Sequence, residues 1–145
     1  MKFKAILLFI LVCMSIHANP KQIEKLFTPK NLQAIDWTKQ HSLDEYVKVL
    51  GKYQLKKENK YYFEVKKLKY PISLHTKGKT VEKIYFRTLD HSPKIQQLAK
   101  YMQANAFKEI PKSKENYKTY ESESLKMKLR FSAITQKLYS VEKWY

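Results

Sequence analysis

The sequence is poor in cysteine, glycine and arginine, and each shortage disfavours a class of function. Cys13 is the only cysteine, and it lies in an apolar N-terminal run. If that run is removed, the remaining chain has no thiol for a disulfide or for thiolate chemistry. Glycine occurs only at Gly51 and Gly78, which disfavours glycine-rich phosphate-binding loops. Arginine occurs only at Arg87 and Arg130, whereas proteins that read phosphates or base edges depend on its planar side chain.

The N-terminus has the order of regions found in a secretory signal peptide. Two lysines precede an apolar run at residues 5–14, and Ala18 supplies a small residue for cleavage. A charged region, a short apolar region and a small residue in this order predict export. We therefore predict a signal peptide at residues 1–18 and a mature chain at residues 19–145.

Two other fates of this N-terminus are alternatives. A membrane anchor needs ~20 apolar residues and this run is shorter, so we expect no transmembrane segment in the mature chain. Lipidation of Cys13 is the second alternative, but Val12 precedes it where a small residue is usual. A mature chain without disulfides is typical of bacterial exported proteins rather than of small secreted eukaryotic domains. We therefore expect a periplasmic or secreted bacterial protein.

The chain is strongly basic, with a formal net charge of +16 at pH 7. Loss of the two lysines of the signal peptide leaves about +14, enough to favour association with polyanions at low salt. Almost all of the basic residues are lysine, however, and the sequence is also rich in tyrosine and poor in glycine. An AT-rich genome produces the same composition, so the charge has a compositional explanation beside a functional one.

The clearest structural pattern lies at the C-terminal end. Between residues 125 and 133, apolar side chains alternate with polar ones that include Lys126, Lys128 and Arg130. Successive side chains of a strand point to opposite faces, so this period of two predicts one dry face and one cationic face. Residues 137–145 are rich in aromatic and β-branched side chains, and we expect them to fold back as the second strand of a hairpin. We expect the three cations to stay exposed to solvent.

The most specific helix signal is a capping box at residues 42–45, with the sequence Ser-Leu-Asp-Glu. Its serine and glutamate can satisfy each other's free amide groups, which predicts a helix from residue 43 to residue 50 and Gly51 as its C-cap. Weaker patterns predict further helices at residues 22–27, at residues 29–39, and after Ser92 as an N-cap.

Short β-rich segments surround these helices. We predict strands at residues 61–65, 71–75 and 80–87, one that begins near Tyr117, and the C-terminal hairpin. The fold class is therefore α+β: a single domain whose antiparallel sheet of about five or six strands carries helices on one face. The predicted core is Leu43, Tyr46, Val47, Leu50, Ile84, Phe86, Ile95, Leu98, Met102, Leu125, Met127, Leu129 and Phe131.

Side chains with catalytic chemistry are present, but none forms a specific motif. No two histidines have the i, i+4 spacing of a helical metal site, so we predict no metal ion and no cofactor. Residues 90–92 (Asp-His-Ser) hold the three types of a nucleophilic triad, but triad members meet through the fold rather than as neighbours. The acidic pairs at residues 44–45 and at Glu121 and Glu123 suit a helix start and a solvated strand face. We predict no catalytic residue; a small hydrolase that uses His75 or His91 is the alternative.

The interleaving of basic and aromatic residues is the stronger functional signal. The candidate binding residues are Lys60, Tyr61, Tyr62, Lys66, Lys126, Lys128, Arg130, Trp144 and Tyr145. Lysines around exposed tyrosines can hold single-stranded nucleic acid or an anionic envelope polymer. They can equally be a solvated sheet face with tyrosines that belong partly to the core.

Predicted export disfavours nucleic acid as the partner and favours an envelope component or another protein. We expect a non-enzymatic binding protein of the bacterial envelope whose partner is another protein. The toxin-neutralising proteins known as immunity proteins fit this size and compartment, although no motif identifies that class. A cationic module for an anionic envelope polymer or nucleic acid is the first alternative.

Overall fold

The computed structural model of the chain describes residues 19–65, 68–88, 92–111 and 116–145. Within this part, eight strands form one antiparallel sheet, accompanied by three α-helices and one 3-10 helix. The α+β class is confirmed, but the sheet has eight strands instead of five or six. The predicted signal peptide lies outside the described residues.

The helices are short and differ from the prediction mainly at their starts. They are α1 (Pro20–Phe27), the 3-10 helix (Lys30–Ala34), α2 (Leu43–Leu50) and α3 (Ile95–Ala104). The predicted helix at residues 29–39 is wrong beyond Ala34, because Ile35 is extended and the Trp37 amide donates to the Ile35 carbonyl. This bend carries Trp37 into the core, where it is 4% exposed.

The capping box at α2 is confirmed. Ser42 Oγ accepts a hydrogen bond from the Glu45 amide at 3.3 Å, and Glu45 Oε2 accepts one from the Ser42 amide at 2.8 Å. The hydrogen bonds that the Ser42 amide and then the Ser42 hydroxyl donate to the Glu45 carboxylate hold its pKa below the usual value. Gly51 ends the helix with φ 82° and ψ −167°, a conformation that is essentially restricted to glycine.

Replacing Gly51 by alanine is expected to lower the free energy of unfolding by about 1–3 kcal/mol. A β-carbon at this position would meet no atom within 4 Å, so the cost comes from backbone strain alone. Urea unfolding of Gly51→Ala checks this value, with exposed Lys52→Ala as the control. Equal stability of the two variants would contradict the strain argument.

The third helix begins later than predicted. Lys94, not Ser92, occupies the N-cap of α3. The chain before the helix is extended because it pairs with the start of the last strand: the Leu138 amide donates to the Pro93 carbonyl, and Lys94 forms a β-bridge with Lys137. Ser92 instead donates a hydrogen bond to Thr88 Oγ1 at 2.8 Å.

The sheet consists of two meanders joined at its centre. Its strands are β1 (Leu55–Lys57), β2 (Lys60–Val65), β3 (Leu68–Lys77), β4 (Thr80–Arg87), β5 (Lys108–Glu109), β6 (Tyr117–Ser122), β7 (Met127–Ser132) and β8 (Leu138–Trp144). Their spatial order is β1-β2-β3-β4-β8-β7-β6-β5. The C-terminal strand therefore lies in the middle of the sheet, between β4 and β7. The prediction missed β1 and β5, which are the two edge strands of the sheet and are short and largely polar.

One face of the sheet, the inner face, joins the helices in a single core. Its centre includes Ile84 on β4, Leu129 on β7 and Val141 on β8, all completely buried. The helices add Tyr46 and Leu98 to the same core. Of the predicted core, Leu43, Val47, Leu50, Ile95 and Leu125 are only partly buried, and the other eight residues are buried.

The inner face also holds a buried lysine. Lys143 is 8% exposed, and its Nζ donates a hydrogen bond to the Leu125 carbonyl at 2.7 Å. The ammonium also lies 5.2 Å from the ring centre of Tyr145. Burial holds the pKa of this ammonium below its usual value. Its carbonyl and ring partners stabilise a charge that would otherwise be costly at this depth.

Candidate functional site

The opposite face of the sheet, the outer face, carries basic and aromatic side chains. Among the described residues, no helix covers it, because the buried helical residues belong to the core on the inner face. Strand alternation places on it Lys60, Tyr62, Ser73, His75, Lys83, Tyr85, Arg87, Tyr117, Thr119, Glu121, Lys128, Arg130, Tyr139, Ser140, Glu142 and Trp144. A set of side chains on paired strands has fixed spacing, which a recognition surface requires.

Both arginines of the chain lie near the centre of this face, on either side of Ser140. Arg87 on β4 and Arg130 on β7 are each paired with Ser140 on β8, which lies between them. Thr119 on β6 continues the row beyond Arg130. Ser140 and Thr119 are 3% and 8% exposed, because the long side chains around them cover them.

Aromatic rings surround this row of residues. The guanidinium carbon of Arg87 lies 4.5 Å from the ring centre of Tyr139, and the rings of Tyr139 and Tyr117 are 4.8 Å apart. Burial raises the pKa of the Tyr139 hydroxyl, while the Arg87 charge acts in the opposite direction. On the other side of the row, Lys128 Nζ lies 5.2 Å from the ring of Trp144. Cation–π contacts of this kind hold cationic side chains in defined positions.

The lysines at the centre of the outer face are paired with carboxylates. Lys83 Nζ lies 3.4 Å from Glu142, and Lys128 Nζ lies 3.7 Å from Glu121. Within the part of the chain that the structure describes, neither arginine has a carboxylate partner within 4.0 Å. The excess positive charge at the centre of the face therefore belongs to the two arginines.

Five of the nine candidate binding residues lie on the outer face. They are Lys60, Tyr62, Lys128, Arg130 and Trp144. Lys126 is exposed in the turn between β6 and β7, with φ 49°, and Lys66 lies outside the described residues. Of the three cations expected to be exposed, Lys126 and Arg130 are exposed and Lys128 is half-buried.

The other two candidates, Tyr61 and Tyr145, point into the inner face. Tyr61 is 9% exposed, and its ring packs 4.8 Å from that of Tyr53. The Tyr145 hydroxyl donates its proton to the Trp37 carbonyl. The Tyr46 hydroxyl lies 3.1 Å from the Tyr145 hydroxyl, and it is the donor in that second hydrogen bond. Burial raises the pKa of Tyr46 to about 12. These tyrosines are committed to internal contacts, although their role in binding stays a prediction.

The outer-face residues that were not among the candidate binding residues include Tyr85, Arg87, Tyr117 and Tyr139. The alternation in the predicted strand at residues 80–87 was a usable signal for Arg87, because it shares a face with Tyr85. No sequence signal could have shown that this strand pairs with the last one.

The candidate catalytic residues are dispersed. His75 lies on the outer face between Lys60 and Lys83, whereas His41 is 2.9 Å from the Asp36 carbonyl and 3.5 Å from Glu45. Asp90 and His91 lie outside the described residues. In the described ranges, no three histidine, cysteine or acidic side chains are grouped so that they could hold a metal ion.

The environment of His75 predicts a pH effect on stability. Burial, and then the charges of Lys60 and Lys83, hold its pKa below the usual 6.5, although Glu142 acts in the opposite direction. The unfolded chain therefore binds this proton more readily than the folded protein. The contribution of His75 to the free energy of unfolding is therefore fully present above about pH 6.5. It is lost as the pH falls from that value toward the pKa of His75 in the folded protein.

Replacing His75 by glutamine is expected to reduce this loss. Urea unfolding at about pH 8 and about pH 5 should show a smaller decrease in stability for His75→Gln than for the unmodified protein. The other histidines are present in both proteins, so the difference isolates His75. An identical decrease in the two proteins would contradict the prediction.

A second candidate site is a cavity of about 210 Å³ beside α1. Its lining is Lys21, Glu24, Lys25, Thr28, Gln33, Ala34, Ile35, Asp36, Trp37 and Thr38. Burial raises the pKa of the Glu24 carboxyl, whereas the hydrogen bond from Thr38 lowers that of Asp36. Lys21 lies 3.7 Å from Asp36 across the cavity. The cavity is smaller than the ~300 Å³ at which ligand pockets usually begin.

Comparisons with protein-family models, with curated proteins and with solved structures find no match to this chain. None of the described helices has the length and apolar character needed to cross a membrane.

Proposed function

We propose that this chain is an exported, non-enzymatic binding protein of the bacterial envelope that binds another protein through the outer face of its sheet. The N-terminal pattern supports export, because a charged region, a short apolar region and a small residue stand in the order of a signal peptide. The composition and rigidity of the outer face support a protein partner.

The observation that carries the proposal is the concentration of interface-type residues on one uncovered face. Tyrosine, tryptophan and arginine contribute most of the binding energy in protein interfaces. The outer face bears both arginines of the chain together with Tyr62, Tyr85, Tyr117, Tyr139 and Trp144. Because the backbone is a paired sheet, little ordering of the chain opposes binding.

The charge pattern favours a protein over a polyanion. A polyanion needs a continuous cationic track, but Glu121 and Glu142 lie near the centre of this face and neutralise its lysines. Exposed lysines also occur on the helical side, at Lys25, Lys48 and Lys100. Lysines scattered over both sides are what the compositional explanation of the charge predicts.

The surroundings of the candidate base favour binding over hydrolysis. His75 makes no side-chain hydrogen bond to another described residue, so nothing in that part of the chain orients its imidazole for proton transfer. Lys60 and Lys83 flank it and favour its neutral form. A hydrolase would also need a nucleophile within hydrogen-bond reach of the base.

The most specific partner that we propose is a toxin delivered into the envelope. The size of the chain and its predicted export support this partner. The gene neighbourhood provides an inexpensive test: an adjacent secreted effector gene supports a toxin-neutralising role, and the absence of such a gene removes that support.

Affinity capture from the encoding organism tests the protein partner. The tagged protein should retain one specific protein at both about 150 mM and about 500 mM salt, since an interface centred on aromatic anchors tolerates salt better than phosphate contacts do. A variant with Tyr85→Ala and Trp144→Ala should lose the partner. The control, Lys48→Ala with Lys100→Ala on the helical side, should retain it.

Two results would overturn the proposal. The first is recovery of lipopolysaccharide, cell-wall polymer or nucleic acid alone, released at the higher salt. The second is loss of the partner from the helical-side control but not from the outer-face variant. Urea unfolding of both variants confirms that each is folded before capture.

A further inference from the structure

We propose that Arg87 and Arg130 together bind one carboxylate of the protein partner, an aspartate or glutamate side chain at the centre of the interface. The inference rests on the proposed function, because it assigns the chemistry of one anchor to the outer face.

The two arginines converge because of the sheet topology. Both are paired with Ser140, so their Cα atoms are separated by two strand spacings, about 9–10 Å. Both side chains project from the outer face, and their length lets the two guanidinium groups meet above Ser140. Arg87 and Arg130 are 43 positions apart in the sequence, and only the position of β8 between their strands places them side by side.

A shallow depression suited to a small group lies on the Arg130 side of Ser140. Ser140 and Thr119 are short, and they line it with Tyr85, Lys128, Arg130 and Glu142. Arg87 lies on the other side of Ser140, one strand away. The volume of the depression is about 10 Å³, close to the space that one water molecule needs. A carboxylate oxygen has a similar size, and the Ser140 hydroxyl can donate to it.

Arg87 is already held in position before any ligand arrives. Its guanidinium stacks on the ring of Tyr139 at 4.5 Å, and Tyr117 packs against that ring from the other side of β8. A side chain ordered in this way loses little conformational freedom on binding. Arg130 is exposed and can turn toward the ligand.

The local charge fits a carboxylate better than a phosphate chain. Lys83, Arg87, Lys128 and Arg130 carry four positive charges, and Glu121 and Glu142 carry two negative ones. The remaining two positive charges are those of the arginines, whose planar forks match a carboxylate bidentately. Glu142 lines the depression, and it would repel a chain of phosphates more strongly than it repels a single carboxylate.

The choice of residue type is itself informative. Of the 29 lysine and arginine residues, only these two are arginine. Nearly all cationic residues of this chain are lysine, so the presence of arginine on both sides of one serine is exceptional. The fork of arginine, rather than its charge alone, is what a bidentate carboxylate contact needs.

Nuclear magnetic resonance of the labelled protein tests the site. The probe is blocked aspartate (N-acetylaspartate N-methylamide), and inorganic phosphate is the competing anion. Blocked aspartate should shift the Nε–Hε signals of Arg87 and Arg130 together, with a dissociation constant on the order of millimolar, as one isolated contact allows. Arg130→Lys and Arg87→Lys keep the charge and should each weaken binding by about fivefold or more. The control Lys118→Ala removes an exposed charge on β6, next to β7, and should change the affinity by less than about twofold.

Three outcomes overturn the inference. They are equal weakening by Lys118→Ala and Arg130→Lys, saturable shifts with phosphate but not with blocked aspartate, and shifts confined to lysine signals. Because Arg130 is exposed, its replacement by lysine leaves the fold intact, and the amide spectrum checks this.

Failure of this inference is distinguishable from failure of the proposed function. If capture retains a protein but blocked aspartate shifts neither arginine signal, the carboxylate site is wrong and the binding role stands. If blocked aspartate binds as expected but capture retains no protein, the binding role is wrong although the arginine site exists.

Discussion

Replacing Trp37 by alanine is expected to lower the free energy of unfolding by about 3–5 kcal/mol. The indole is 4% exposed and makes edge contacts with Phe86 at 5.1 Å and Phe27 at 6.3 Å between ring centres. Its Nε1 donates to Thr28 Oγ1 at 3.0 Å. Truncation therefore removes a large buried ring that joins the 3-10 helix region to β4. Urea unfolding followed by circular dichroism measures the loss without depending on tryptophan fluorescence.

The other tryptophan is a matched control. Trp144 lies half-buried on the outer face, and Lys128 Nζ is 5.2 Å from the centre of its ring. Trp144→Ala should change stability by less than about 1 kcal/mol. If the two alanine variants had equal stability, the assignment of Trp37 to the core and Trp144 to the surface would be wrong.

Replacing Leu129 by alanine is expected to cost about 2–5 kcal/mol. Leu129 is completely buried on β7, between its partners Tyr120 on β6 and Val141 on β8. The strands on both sides restrain the backbone, so the space left by the side chain cannot collapse fully. The midpoint of urea unfolding should fall accordingly.

Ile134 provides the control for this change. It is 86% exposed in the turn between β7 and β8, so Ile134→Ala should change stability by no more than about 0.5 kcal/mol. A loss at Ile134 as large as that at Leu129 would mean that Ile134 is packed in the folded chain, which contradicts its exposure. A neutral Leu129→Ala would mean that the facing of β7 is wrong.

The orientation of β7 side chains links the stability of the core to the geometry of the candidate site. Since Leu129 and Phe131 must lie in the core, Lys128 and Arg130 must project from the opposite face. A shift of one residue in the register of β7 would bury the cations and destroy both the core and the arginine pair. The proposed binding face therefore persists only as long as the core does.

Local patterns in the sequence were sufficient for several elements. The capping box at residues 42–45 predicted the start of α2, because its two hydrogen bonds involve only neighbouring residues. The period of two predicted the facing of β7 for the same reason, since the pleat of a strand is a local property. The start of α3 was predicted wrongly, because residues 93–94 pair with the beginning of β8, which is distant in the sequence.

The last strand shows the limit of pattern reasoning most clearly. Strict alternation from Leu138 would place Val141 and Leu138 on opposite faces. A bulge opposite Arg130 and Phe131 leaves Tyr139 unpaired, so both residues lie in the core and Trp144 projects from the outer face. Such a bulge depends on the partner strand and cannot be predicted reliably from the local sequence.

The sequence alone determined the fold class, the facing of β7 and the capping of α2, because each depends on residues close together in the chain. Only the tertiary structure decided that β8 enters the sheet between β4 and β7. Strand order depends on contacts between distant segments, and the local sequence of a strand does not indicate which other strand it pairs with. The position of β8 brings Arg87 beside Arg130, so the proposed site exists only in the folded protein.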